Sequence, residues 1–402
     1  MGSTDGEIRR GGAADGSQRL LPTTEDPGRA TFLELFFDLV FVFALTRISA
    51  RAFEDLALEP GGGEGWSAVT GGGKTLLLLL ALWAVWQGTA WTTSRYDPHQ
   101  GWLQLVVIVS LVCSMVMGVA IPRAFAQTGL AFAVAYVVAQ VSRPVILLIA
   151  IGPHPYRRLK VRMAIIFATT GVLWIVGALL PSTPRVVCWL VALTLEYTAV
   201  RLGYPVPGLG RSKVSKWDIA GEHLAERYQQ FFLIALGETI LVAGFAYSKG
   251  PYQPSQTVAF ALALATSIVI WRIYVQRAGQ ILAEAVGRAR QPATIGRSAA
   301  DTHLVMVVGL VATAIGYELA IEHPMDYHPE PAWIAMIIGG PVLFLAGRAR
   351  FEYEVFGRVS PARWIAALAL LAVSPLLLHH PLLWAATTVV VVLVAVAVAD
   401  AR

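Results

Sequence analysis

The stretch TFLELFFDLVFVFALTRIS, Thr31 to Ser49, decides the fold class of this chain. Its apolar run is long enough to cross a bilayer, because a spanning helix needs about 20 mainly apolar residues. The run nevertheless carries Glu34, Asp38 and Arg47. A charged side chain at the centre of a spanning helix costs about 2.5–3.5 kcal/mol on insertion scales, so we expect such residues to serve a function.

The composition of the whole chain agrees with a membrane location. Of the 402 residues, 56% are hydrophobic and only 14% are charged, whereas soluble domains carry about 25% charged residues. The two cysteines, Cys113 and Cys188, lie in apolar runs and cannot form a metal site of their own. We therefore predict an all-α polytopic membrane protein, with no metal and no cofactor.

Hydropathy divides the chain into about twelve candidate spanning helices. Tight turns, PSTPR and HHP, join spans five and six and spans eleven and twelve, so each of these pairs should form an antiparallel hairpin. The predicted spans are 32–50, 74–92, 102–121, 130–151, 161–180, 185–201, 226–248, 256–276, 300–320, 331–347, 362–379 and 381–399.

The distribution of basic residues tests this count. Cytoplasmic loops of membrane proteins carry an excess of Lys and Arg. With the N-terminus inside, 22 of the 31 basic residues fall in cytoplasmic segments, 5 fall in outer segments and 4 lie within spans. The pattern predicts a multi-pass protein of the inner (plasma) membrane with both termini in the cytoplasm. Since orientation and anionic lipid headgroups account for the net charge of +5, no nucleic-acid partner is expected.

The two halves of the chain have related patterns. FLELFFDLVFVF opens span one and AERYQQFFLIALGE opens span seven, and the two closing hairpins also correspond. Six spans per half give both halves the same orientation, as in transporters built from parallel repeats with a site between the halves. We predict a cytoplasmic tail without stable structure over 1–30, a six-helix half over 31–201, a cytoplasmic linker over 202–225 and a second six-helix half over 226–402.

Glu34 and Asp38 are the first candidate site residues. They are four residues apart, so they share one face of the helix, about 6 Å apart along its axis. Two carboxylates this close in a low dielectric cannot both ionise cheaply without a cation or base beside them. Arg47, nine residues after Asp38, falls on the opposite face and is not such a partner.

The second candidate stretch is GEHLAERYQQFFLIALGETI, residues 221–240. Arg227 and Glu238 are eleven residues apart and therefore lie on nearly the same side of a helix. With the predicted topology most intramembrane charges fall in the cytoplasmic half, which predicts a polar vestibule that opens to the cytoplasm and narrows towards Glu238. The further candidates for this polar site are His223, Glu226, Arg272 and His303.

These motifs make the chain resemble the bacterial low-temperature-requirement A (LtrA) membrane family, from Thr31 onwards. The resemblance rests on the acidic pair in a Phe-rich first span, on the ER and LGE motifs of span seven and on the helix that carries His303. It implies the fold more strongly than a chemistry. By resemblance, the characteristic positions of the family are Glu34, Phe37, Asp38, Glu226, Arg227, Gly237, Glu238 and His303.

Two functions of different classes follow from these residues. The first is a proton- or cation-coupled secondary transporter, in which Glu34, Asp38 and Glu238 accept the coupling ion. The alternative is a membrane-embedded acid/base enzyme on a lipidic or isoprenoid substrate, with His303 or Glu226 as the base. The expected partners are membrane lipids and a small solute or lipidic substrate, with a homodimer as a candidate assembly.

Overall fold

The computed structural model describes residues 30–57, 66–152, 156–212, 219–275 and 292–401. These residues form α-helices and no β-strand, which confirms the all-α prediction. The predicted tail, apart from Ala30, lies outside the described residues. The helices are α1 Phe32–Ala57, α2 Trp66–Thr93, α3 Gly101–Ala120, α4 Gly129–Ile151, α5 Arg157–Leu179, α6 Ser182–Leu202, α7 Gly221–Lys249, α8 Pro254–Tyr274, α9 Pro292–Glu322, α10 Pro331–Phe356, α11 Pro361–Leu377 and α12 Leu382–Asp400.

Each predicted span overlaps one of these helices, but the helices are not equally suited to a bilayer. Within the described ranges, nine of them are long and apolar enough to cross a membrane: α2, α3, α4, α5, α7, α8, α9, α10 and α12. Helix α1 falls outside this set because it carries charged residues in its apolar run, and α6 because it contains Arg185 and Glu196. Helix α11 has only 17 residues. The protein is therefore a multi-pass membrane protein with at least these nine candidate crossings.

Described segments that the charge pattern assigns to the same side of the membrane contact one another. Among those assigned to the cytoplasm, Ala220 N donates to Ser94 O at 2.7 Å and Arg201 contacts Asp301 at 2.6 Å. Among those assigned to the outside, Arg51 Nη1 donates to Pro122 O at 2.7 Å and Leu383 N to Pro324 O at 3.1 Å.

The order of helix contacts is similar in the two halves. Helix α1 packs against α2 and α3, and α3, α4, α5 and α6 then pack in sequence. Helix α7 likewise packs against α8 and α9, and α9, α10, α11 and α12 follow in sequence. The halves meet where α1 packs against α7 and α9. This junction brings the first helix of one half against the first helix of the other.

Glycines bring α9 and α10 into close contact. A Cβ on Gly309 would lie 2.7 Å from Gly340 O, and a Cβ on Gly316 would lie 2.7 Å from the backbone of Ile337. Small residues at such positions let the backbones of membrane helices approach, and dispersion then stabilises the pair. Helix α9 of this pair packs against α7, which carries four of the eight candidate site residues.

Candidate functional site

Helix α1 places its two acids on its buried face, together with Phe37 and Phe41, whereas Phe32 and Phe36 lie on the exposed face. Phe32 is 91% exposed and Phe36 is 56% exposed, as expected for side chains that meet lipid. Glu34 and Asp38 are only 1% and 2% exposed. The spacing of four residues therefore puts both carboxylates on the buried face, as predicted for an i, i+4 pair.

The first turn of α1 also fixes the position of Glu34. The backbone N–H and the hydroxyl of Thr31 donate to Glu34 Oε2 at 2.9 and 3.0 Å. Thr31 Oγ1 lies 3.4 Å from the backbone nitrogen of Glu34. This is a capping box, in which a Thr before the helix and a Glu three residues later satisfy each other's backbone groups. Sequence analysis missed this role, although TFLE matches the pattern.

Arg227 on α7 is the cation that joins the two acids. Its Nη2 donates to Asp38 Oδ1 at 2.8 Å, and its Nε lies 3.7 Å from Glu34 Oε1. The Arg227 side chain is fully buried. The indole Nε1–H of Trp86 donates to the same Asp38 oxygen at 2.9 Å. The ion pair therefore connects α1 with α7, and α2 supports it through Trp86.

His223 completes the cluster one turn before Arg227. Its Nε2 lies 3.2 Å from Glu34 Oε2, and its Nδ1 lies 2.9 Å from Ser94 Oγ. With His223 protonated, the cluster holds two positive and two negative groups and is electrically balanced; with His223 neutral, it holds one excess negative charge. We call Glu34, Asp38, His223 and Arg227 the junction cluster. Such a buried cluster is a specific connection between helices more than a source of stability.

Glu238 lies apart from the junction cluster. It is eleven residues beyond Arg227, or about 16 Å along the helix. Its Oε2 accepts a hydrogen bond from Thr46 Oγ1 on α1 at 2.7 Å, while its Oε1 has no hydrogen-bond partner in the described part of the chain. The side chain is fully buried. Arg227 and Glu238 do lie on the same side of α7, as the sequence predicts, but they are far apart along the helix. The junction cluster and Glu238 are therefore two separate sites on the α1–α7 pair.

The other three predicted residues do not join these groups. Glu226 accepts hydrogen bonds from Ala30 N at 3.2 Å and from Gln230 Nε2 at 3.0 Å, at the edge of the cluster. Arg272 is exposed at the end of α8. His303 is buried in an aromatic environment, where it stacks on Tyr228 with ring centroids 5.2 Å apart.

The hydrogen bonds of His303 occupy both ring nitrogens. Nδ1 donates to Ala299 O at 2.7 Å, so Nε2 accepts from the Tyr274 hydroxyl at 3.0 Å in the neutral ring. Tyr228, which stacks on His303, in turn accepts from Trp91 Nε1 at 2.8 Å. This histidine orders the aromatic core between the halves and has no ring nitrogen left for a substrate.

The vestibule expected from the sequence is not seen at the predicted carboxylates. Glu34, Asp38 and Glu238 are buried, and none of the eight predicted site residues lines the cavity beside Arg95 and Arg201. That cavity lies between α2, α4, α5 and α6, and Arg297 and Asp301 of α9 also contribute to its lining. The reason is packing: Trp83, Trp86 and Phe231 fill the space beside the junction cluster.

The comparisons with known proteins agree with the resemblance drawn from the motifs. The family model described as bacterial low temperature requirement A protein (LtrA) matches residues 29–398. An uncharacterized protein of Rhizobium meliloti (strain 1021) is 35% identical over 352 residues, which cover 87% of this chain and 83% of that relative. No solved structure matches the chain. Since the family model spans nearly the whole sequence and both motifs, the chain belongs to the bacterial LtrA family.

Proposed function

We propose that this LtrA-family protein is a secondary transporter coupled to protons or to a monovalent cation. The observation that carries the proposal is Glu238, a buried carboxyl at the contact between the halves that forms no salt bridge with any described basic residue. A buried carboxylate without a counter-charge is costly, so we expect this group to be neutral or accompanied by a bound cation. Alternation between two such states is what ion coupling requires.

The polar groups around Glu238 suit the binding of a dehydrated ion. Thr46 Oγ1 donates to one carboxyl oxygen, and the other oxygen is unsatisfied. The hydroxyl of Ser49, on the same helix as Thr46, is also buried and unsatisfied. A proton on Glu238, or a cation held by these oxygens, would satisfy groups that are otherwise costly to bury.

The contact at Glu238 also supports the six-plus-six repeat. When Glu34 is aligned with Glu226, the offset is 192 residues, and the same offset places Thr46 opposite Glu238. These two residues form the hydrogen bond between α1 and α7. Contacts between equivalent positions are expected close to a two-fold axis. Together with the similar order of helix contacts, this supports two parallel halves with the ion site on their axis.

Twelve crossings and a cytoplasmic location of both termini belong to the same proposal. Described segments that the charge pattern assigns to the same side contact one another, as at Ala220 with Ser94 and at Leu383 with Pro324, which supports an even number of crossings in each half. We place the protein in the inner (plasma) membrane, with Glu34 near the cytoplasmic rim and Glu238 towards mid-membrane. Binding of the ion would then alter the contact on which one half moves against the other.

Both residues proposed as the base of the enzymatic alternative already have hydrogen-bond partners among the described residues. His303 uses both ring nitrogens within the aromatic core, and Glu226 is bound to Ala30 and Gln230. A general base must lie within hydrogen-bond reach of a proton on the substrate. The indole N–H groups of Trp86 and Trp91 are also engaged, since Trp86 donates to Asp38 and Trp91 to Tyr228.

Ion flux into proteoliposomes tests the transport proposal. The purified chain would be reconstituted with a pH-sensitive dye inside, the membrane potential clamped, and a Na⁺ or K⁺ gradient imposed. We expect cation-dependent proton movement with the native chain and a loss of about tenfold or more with Glu238→Gln, because the amide cannot bind a proton or balance a cation.

The matched control is Glu222→Gln, which makes the same chemical change at an exposed position on α7. Its flux should equal that of the native chain. Coupling at Glu238 is refuted if Glu238→Gln transports as fast as this control. An absence of flux above empty liposomes under both gradients would overturn coupling to these ions altogether.

A further inference from the structure

Several basic side chains line the cavity between α2, α4, α5 and α6. It has a volume of about 100 Å³, and α2, α4, α5 and α6 contribute most of its lining. A water molecule needs about 10–15 Å³ on this measure, so the space admits a group of several non-hydrogen atoms. We call it the basic cavity, after the residues Arg95, Arg143, Lys160, Arg201 and Arg297 in its lining.

Arg143 is the most deeply placed of these cations. It is 2% exposed, and its hydrogen bonds run from Nη2 to Gln140 Oε1 at 2.9 Å and to Val85 O at 3.5 Å. Its Nε is buried without a hydrogen-bond partner. Gly88 makes room for the guanidinium, since a Cβ at that position would overlap it. The packing thus leaves a fitted space for Arg143 in the cavity wall, but Arg143 has no carboxylate partner among the described residues.

Arg95 and Lys160 share this lack of a counter-charge. They are 6% and 4% exposed, and neither forms a salt bridge within the described ranges. Arg95 lies over the ring of Tyr156 at 4.1 Å, and Lys160 Nζ lies 5.3 Å from the ring centroid of Tyr96. Arg95 Nε and Nη2 have no hydrogen-bond partner there. Aromatic faces stabilise a cation weakly and do not replace an anion.

The acids of the basic cavity are already engaged. Glu196 accepts from the Tyr136 hydroxyl and from Trp174 Nε1, the latter at 3.1 Å. Asp301 pairs with Arg201 at 2.6 Å. Of the five basic residues in the lining, Arg201 pairs with Asp301, and Glu196 has Tyr136 and Trp174 as its hydrogen-bond partners. The three buried cations are left without compensation.

The role of basic residues in orienting helices in the membrane does not explain these three buried cations. Basic residues that orient a membrane protein sit at helix ends, where their charges reach water or lipid headgroups. Arg157 and Arg158, at the start of α5, are exposed in this way. Lys160 on the same helix is instead enclosed by protein, and a buried charge without a partner is strongly destabilising. A bound anion would remove that penalty.

We propose that the basic cavity binds an organic anion through a carboxylate or phosphate group. Arg143, Lys160 and Arg95 hold the oxygens, because charge-assisted hydrogen bonds to such groups are the strong ones. Leu159, Met163 and Phe167 line the cavity beside them and contact an apolar part of the ligand. Both an anionic lipid and a soluble organic acid have this chemistry. The proposal does not depend on ion-coupled transport.

Thermal unfolding in a neutral detergent tests the binding, with hexyl phosphate as the probe and hexanol as its uncharged counterpart. Hexyl phosphate should raise the melting temperature of the native chain saturably, and hexanol should not, because only the phosphate compensates the cations. Lys160→Met should weaken binding about tenfold, as expected for one lost charge-assisted hydrogen bond. Arg158→Met, an exposed neighbour on α5, is the matched control and should bind within about twofold of the native chain.

Two further variants keep the test decisive. Lys160→Arg retains the charge and should retain binding, while Arg95→Met removes a second cation and should weaken it. Without ligand, Lys160→Met should melt no lower than the native chain, because it removes an uncompensated buried charge.

Native mass spectrometry identifies the source of the anion. If the native chain retains phosphatidylglycerol and Lys160→Met does not, the anion is a lipid. If hexyl phosphate binds saturably and no lipid is retained, the anion is soluble. Both results support the proposal. Equal effects of hexyl phosphate and hexanol together with no preference for phosphatidylglycerol over phosphatidylcholine would overturn it. Binding that survives both Lys160→Met and Arg95→Met would overturn it too.

Discussion

Arg227 offers the most direct test of the junction cluster. Replacement by Met keeps an unbranched side chain of similar length but removes the guanidinium that joins Asp38 and Glu34. Both carboxylates then remain buried, with Trp86 as the partner of Asp38 and with Thr31 and His223 as the partners of Glu34. We expect a large loss of stability, because removing one member of a buried ion network leaves uncompensated charge.

The size of the effect follows from the two distances. At an effective dielectric constant of about 20, unit charges separated by 2.8 Å attract by about 6 kcal/mol, and those separated by 3.7 Å by about 4.5 kcal/mol. The desolvation of Arg227, several kcal/mol, opposes this attraction. The expected net loss for Arg227→Met is therefore about 3–5 kcal/mol, the range found when a buried pair is broken.

The free energy of unfolding would be measured by titration with SDS in mixed micelles, for the native chain and for the variants. A double-mutant cycle with Asp38→Asn isolates the pair, since the amide oxygen can still accept from Trp86. We expect the double variant to lose less than the sum of the single losses, by about 1.5 kcal/mol or more, because Arg227 and Asp38 are in direct contact.

Arg201→Met is the matched control. Its partner Asp301 lies at 2.6 Å, closer than Asp38 to Arg227, but these side chains are 50% and 42% exposed. Exposed pairs contribute about 0–1 kcal/mol, so this variant should be nearly as stable as the native chain. Equal losses of unfolding free energy for Arg227→Met and Arg201→Met would refute the expectation that burial makes the loss of Arg227 costly. Additive losses in the cycle would refute it too.

Two further predictions concern packing and topology. Gly340→Ala should lose about 1–3 kcal/mol in the same SDS titration, since its Cβ would lie 2.5 Å from the backbone nitrogen of Thr313, whereas Gly339→Ala, with open space around its Cβ, should not; equal losses would contradict the close α9–α10 contact. In a chain without its two native cysteines, Glu222→Cys should react with an impermeant thiol reagent only after the membrane is opened, and Gln127→Cys should react in intact cells; the reverse pattern would invert the proposed topology.

The helices depend on local stretches of sequence and could therefore be predicted from it. Apolar runs of about 20 residues predict spanning helices wherever they occur, because the bilayer leaves no other partner for the backbone. The i, i+4 spacing likewise put Glu34 and Asp38 on one face before any fold was known. Hydropathy alone does not identify the three helices outside the set of nine candidate crossings. In α6, for example, Glu196 is tolerated because it accepts hydrogen bonds from Tyr136 and Trp174.

The partners of the candidate residues were only partly accessible. Sequence analysis proposed Arg227 as company for the acids, and the structure places it there. It also grouped Glu238 and His303 with them, but Glu238 bonds to Thr46 and His303 to Tyr274. Helical periodicity gives the azimuth of a residue on its own helix; it does not give the residue of another helix that lies opposite.

The sequence by itself determined the membrane class, the positions of the helices, the family and the inward face of α1, because each depends on the order of residues along one segment. Only the tertiary structure decided that Asp38, Arg227 and Trp86 meet, and that Arg143 and Lys160 converge on one cavity from α4 and α5. The physical reason is that these contacts depend on the rotation and depth of each helix against its neighbours. Side-chain packing over the whole bundle sets both quantities.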